Sequence, residues 1–82
     1  MQDYQQRVLD EKSALDEKLD RLRDFSETPA FDALSSEEQI FLVRQSVAMT
    51  EYSRVLAERI NMFAPDLSIK PYDGIIIPKR PR

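Results

Sequence analysis

The chain has 82 residues, with 12 Lys and Arg against 15 Asp and Glu, a net charge of -3 and 41% hydrophobic residues; one domain at most fits that length, with a modest core that gains stability by association. It holds no cysteine, no histidine and one glycine, which excludes a disulfide framework, a thiolate metal site, the commonest acid/base group and any glycine-rich phosphate loop. No run approaches transmembrane length and charge appears by Asp3, so neither a span nor a signal peptide is expected and a cytoplasmic location is the default. Acid exceeds base over residues 1–64, and base exceeds acid over 65–82. The body therefore lacks the continuous basic surface that duplex nucleic acid requires, whereas a small anion needs only a few well-placed cations.

The first helix is expected over about residues 3–25, with Asp3 as N-cap or as complement to the helix dipole. Nothing from Gln5 to Phe25 breaks it. Stepping by four and three from Tyr4 gives Tyr4, Val8, Glu11, Leu15, Lys18, Leu22 and Phe25 as the line facing a partner helix. Glu11 and Lys18 put ions on a line that is otherwise apolar or aromatic. Asp16 and Asp20 form a repulsive i, i+4 pair, and Glu17 with Arg21 an attractive one.

A corner follows at 29–34. Thr28 before Pro29 reads as an N-cap followed by the residue best suited to the first helical position, and Phe31 and Leu34 would plug a hairpin. Ser35 and Glu38 form a capping box that opens a second helix over about 36–63. Its seam reads Leu42, Gln45, Met49, Tyr52, Leu56, Arg59 and Phe63, with a second apolar patch at Ile40, Val43 and Val47 roughly opposite. A helix apolar on two sides needs two partners, and one hairpin supplies only one.

Pro65 ends that helix, and the Pro-rich residues 65–82 read as an extended C-terminal arm, docked on its own or a neighbouring protomer, with Ile75, Ile76 and Ile77 as a short extended segment. The expected fold is all-α: two long antiparallel helices joined by a short helical corner, forming a hairpin domain over 1–64 in an oligomer.

Catalysis is hard to assemble from these residues. Adjacent acids splay apart on a helix, and the row Asp16, Asp20 and Asp24 reads as a solvated edge, because a metal site draws ligands from more than one helix. No enzyme, cofactor or metal is expected. Two readings remain for the ions on the seams: a structural pair such as Glu11 with Arg59, or Lys18, Arg59 or Arg7 meeting an anion at a subunit boundary. Tyr4 is either a hydrophobic cap or a ring on which a base stacks, a contact worth about 1–3 kcal/mol. Tyr52, in mid-seam, reads as core.

The segments YQQRVLDEKSALDEKLDRLRDF, FDAL and EEQIFLVRQSVAMTEYSRVLAERI, over about residues 4–63, resemble the small phage anti-CBASS sponges, which bind cyclic oligonucleotides so that the host's signal never reaches its effector. The resemblance implies a helical protomer assembling into a hexamer in the cytoplasm of the infected bacterial host. Cyclic dinucleotides such as 3',3'-cGAMP would sit between protomers and cyclic trinucleotides such as cyclic tri-AMP at separate sites, both held without cleavage. On this chain it makes Tyr4 the stacking ring, Lys18 the phosphate ligand and Arg59 the candidate for the trinucleotide site. Arg7 and Thr28 join the ligand-binding set from position and chemistry. Tyr4 and Lys18 are about 21 Å apart along one helix, so a shared pocket would need them from different protomers. The rival expectation is a phage interaction module whose polar seam residues set helix register for a partner protein.

Overall fold

The computed structural model describes residues 2–74. Helix α1 spans Asp3–Ser26, a one-turn α2 spans Pro29–Asp32, and α3 spans Ser36–Phe63; no strand occurs among the described residues. The protein is all-α, and α1 packs along α3 with their directions opposed. The Tyr4 ring meets Phe63 edge-on at 6.3 Å between centroids, while α2 closes the other end, where Phe25 and Phe31 are 6.1 Å apart.

The caps follow the local chemistry with one exception. Thr28 Oγ1 accepts from Phe31 N and donates to Phe25 O; Ser35 Oγ accepts from Glu38 N. Helix α1 starts at Asp3 but is capped one residue earlier: Gln2 is the N-cap, its N–H donating to Gln5 Oε1 at 3.0 Å. Asp3 sits in the first turn, where its charge complements the dipole. Gln39 reaches back from α3 to donate to Phe31 O at 2.9 Å, which fastens the corner.

The core is a cluster of Val8, Leu15, Leu19, Leu56 and Ile60, bordered by Leu9, Met49 and Phe63. The inward line of α3 is Leu42, Ser46, Met49, Ser53, Leu56, Ile60 and Phe63, all buried or half-buried. The inward line of α1 is Val8, Lys12, Leu15, Leu19 and Leu22. They share Val8, Leu15 and Leu22 on α1 and Leu42, Met49, Leu56 and Phe63 on α3 with the lines read from sequence, and at the positions between them the next residue, about 100° further round the helix, faces inward instead. Glu11, Lys18, Gln45, Tyr52 and Arg59 are consequently exposed, and the only buried cation among the described residues is Lys12.

Beyond Phe63 a 3₁₀ turn at Pro65–Leu67 and a left-handed Ser68 (φ 50°) reverse the chain. Residues 69–74 then lie back in one groove of the hairpin. Asn61 holds Ile69 at both backbone groups, accepting from its N–H at 2.9 Å and donating to its carbonyl at 2.8 Å. Tyr72 N donates to Ser53 Oγ at 3.3 Å and its hydroxyl to Asp20 at 2.7 Å. Ile69 and Tyr72 pack against the core. A Cβ on Gly74 would fall 2.6 Å from the Tyr72 hydroxyl and closer still to the Arg23 guanidinium, so a larger residue there would push the tips of these two side chains aside. The expected extended segment Ile75–Ile77 lies outside the described residues.

Candidate functional face

The buried polar centre comes first because it accounts for much of the charge inside the hairpin. Lys12, 8% exposed, donates to Asp16 Oδ2 at 2.6 Å, and Asp16 Oδ1 accepts from the fully buried Ser53 at 2.8 Å. Ser53 Oγ in turn accepts from Tyr72 N. A buried ammonium is tolerated only when paired and hydrogen-bonded, and this relay supplies both conditions. No buried side-chain N or O among the described residues lacks a hydrogen bond.

A cleft of about 230 Å³ beside this relay is lined by Leu9, Lys12, Ser13, Asp16, Ile60 and Ile69. Its one cation is already neutralised by Asp16, so the cleft offers an anion little. The phenol of Tyr72 is pushed up from 10.0 to about 12, first by burial and then by its hydrogen bond to, and the charge of, Asp20.

The opposite groove is different. On α1, Arg7, Glu11, Ala14, Lys18 and Arg21 each precede an inward residue by one, so they form a line about 100° round the helix from the core. On α3 the residues one before the inward line are Phe41, Gln45, Ala48, Tyr52, Val55, Arg59 and Met62, and all are exposed. Because the helices run in opposite directions, these two rotations turn to the same side of the hairpin, away from Ile69 and Tyr72.

Arg7, Lys18 and Arg59 therefore share one open face. None of the three takes part in an ion pair among the described residues, where the pairs are Lys12–Asp16, Arg23–Asp20 and Arg54–Glu51. Arg7 and Arg59 stand near the same end, since Tyr4 meets Phe63; Lys18 lies about 16 Å further along α1. Tyr4 is 57% exposed at the border of this face, its edge resting on Phe63. Thr28 stands at the far end, with its hydroxyl engaged in the corner. Glu11 and Arg59 do not pair.

The structure thus brings Arg7, Arg59 and Tyr4 to one region, keeps Lys18 on the same face at a distance, and separates Thr28. Sequence reasoning missed Lys12, Ser53, Asn61 and Tyr72 as organising residues. The lysine had a signal: Val8, Lys12, Leu15, Leu19 and Leu22 also step by four and three.

Neither a curated protein nor a solved structure matches the chain. The profile of the Sequestin family matches residues 2–62, which takes in both long helices and the corner and stops before the segment that fills the groove. On that match the chain belongs to the Sequestin family, the phage anti-CBASS cyclic-oligonucleotide sponges.

Proposed function

We propose that this protein binds and sequesters cyclic di- and trinucleotide second messengers, blocking CBASS antiphage immunity in the cytoplasm of an infected bacterial cell without cleaving the ligand. Membership of a sequestering family carries this reading. The open face supports it chemically: Lys18, Arg7 and Arg59 are cations without ion-pair partners there, and Tyr4 offers an exposed ring. Arginine presents a planar fork and lysine a point charge to phosphate, and an aromatic ring accepts any base by stacking. Lys18 is the proposed phosphate ligand of a dinucleotide and Tyr4 the stacking ring, supplied by different protomers. Arg59, with Arg7 beside it, is proposed for the trinucleotide, and Thr28 as a minor polar contact at the corner. A hexamer is the assembly proposed.

Calorimetry with 3',3'-cGAMP and cyclic tri-AMP against linear dinucleotides tests the reading. A cyclic ligand binds at micromolar protein and is recovered intact after denaturation; absence of binding by every cyclic ligand, or a cleaved product, overturns it. Lys18→Ala loses dinucleotide binding by about tenfold or more, as expected for a charge-assisted phosphate contact, while retaining the assembly mass. A variant that falls apart instead assigns Lys18 to the scaffold. The exposed apolar residues of α3, Met62 at 86% and Phe41 at 60%, favour a second reading: a non-enzymatic interaction module for a partner protein. Binding of no nucleotide, with retained assembly, selects it.

A further inference from the structure

Helix α3 carries two seams of the same spacing. The inner one, Leu42 to Phe63, is filled by α1. The outer one, Phe41, Gln45, Ala48, Tyr52, Val55, Arg59 and Met62, advances by alternating steps of four and three from Phe41 to Met62. That is the spacing of a coiled-coil contact line, and every residue on it is exposed. Along its free margin run Arg44, Glu51 and Glu58, seven residues apart. Glu51 is paired within the chain to Arg54 at 3.4 Å. Arg44 and Glu58 form no ion pair among the described residues, and Arg44 lies over the Phe41 ring at 5.8 Å. The opposite margin, Met49, Leu56 and Phe63, is taken up by the core.

We infer that the outer seam of α3 is covered by α3 of a second copy of this chain, running antiparallel. Direction follows from the charges. A parallel in-register pair would set Arg59 against Arg59 in one layer, a desolvated like-charge contact, and would leave Arg44 and Glu58 without opposite charges across the interface. In an antiparallel pair Tyr52 faces Ala48 of the second copy and Val55 faces Gln45, so the largest side chain of the middle layers meets the smallest; Arg59 packs its stem on Phe41 in an outer layer, with its guanidinium left at the mouth of the pair for an anion. In the same register Arg44 reaches Glu58 of the second copy, and by symmetry Glu58 reaches the second Arg44; Glu51 meets its own counterpart beside the twofold axis, a repulsion offset within each chain by Arg54 at 3.4 Å and outweighed by the two attractive pairs. The surface is self-complementary, as a twofold contact requires. This inference rests on the self-association in the proposed function and adds the surface, direction and register.

The absence of cysteine from the chain makes the test direct. Gln45→Cys and Val55→Cys variants are prepared separately, mixed, re-equilibrated and oxidised. The antiparallel register gives a mixed disulfide dimer and little from either variant alone, whose own cysteines lie about 15 Å apart along the pair. In parallel, Arg44→Glu weakens association about tenfold or more by like-charge repulsion, and Arg44→Glu with Glu58→Arg in one chain restores it. Disulfide dimers from each variant alone overturn the direction. No intermolecular disulfide, with Arg44→Glu leaving the assembly mass unchanged, overturns the surface while self-association stands. A monomer at every concentration overturns both, and nucleotide calorimetry then decides the sequestering reading by itself.

Discussion

Lys12 and Asp16 show how one residue position sets the character of this hairpin. Asp16 holds Lys12 with one oxygen and Ser53 with the other, so its removal strands a buried ammonium and a buried hydroxyl together. Asp16→Ala is expected to lower unfolding stability by about 3 kcal/mol, in the range for breaking a buried pair from one side. Lys12→Met costs less than half as much, because an apolar side chain of similar length suits the site and Asp16 keeps Ser53. Urea unfolding of the two variants checks the order; equal losses would mean that the ammonium itself is a net stabiliser. The phase of α1 was hard to read from sequence for the same reason. Two lines share Val8, Leu15 and Leu22, one continuing through Glu11 and Lys18 and the other through Lys12 and Leu19, and both contain charge. What decides between them is Asp16, which neutralises Lys12 from one turn away.

At the scale of elements, the helix ends were legible because they are local: Thr28 with Pro29, Ser35 with Glu38, and the lack of Gly or Pro within α1 and α3. The course of residues 69–74 was not, because it depends on Asn61, Ser53 and Asp20, which are distant in sequence and carry no periodic signal. That docking has a pH signature. The Tyr72 phenol is raised from 10.0 to about 12 in the folded protein, so the native state holds its proton longer than the unfolded chain does. Its contribution is complete below the unfolded value and is lost as pH rises through the folded one. Alkaline titration should therefore show a phenolate step well above the ordinary tyrosine value, with loosening of residues 69–74. Tyr72→Phe should remove that high-pH absorbance step; an unchanged step would place the shifted phenol elsewhere.

The protomer is a rod of 49 × 18 × 16 Å with a radius of gyration of 15.1 Å, against about 11–12 Å for a globular chain of this length. Such a shape buries few side chains: the core reduces to a single cluster between two helices, while Ile40, Phe41, Val47 and Met62 remain exposed. Stability should accordingly be shared with the assembly. The thermal midpoint is expected to rise with protein concentration, by mass action on the folded, associated state, and this rise should shrink in Arg44→Glu. A midpoint independent of concentration would show that the protomer is self-sufficient. The open face follows from the same shape. The sequence places Arg7, Lys18 and Arg59 on helices, but only the packing of α1 on α3 shows that all three turn to one side.

The segment that fills the other groove limits how copies can be added. Having occupied one groove with its own backbone through Asn61 and Tyr72, the protomer has no equivalent surface on which to repeat the α3 contact. A self-matched contact through the remaining groove ends with the pair. A larger particle would have to join pairs through a different patch, such as the exposed Ile40 and Val47. The backbone of residues 69–74 thereby leaves the choice between ring and filament to the geometry of that second patch.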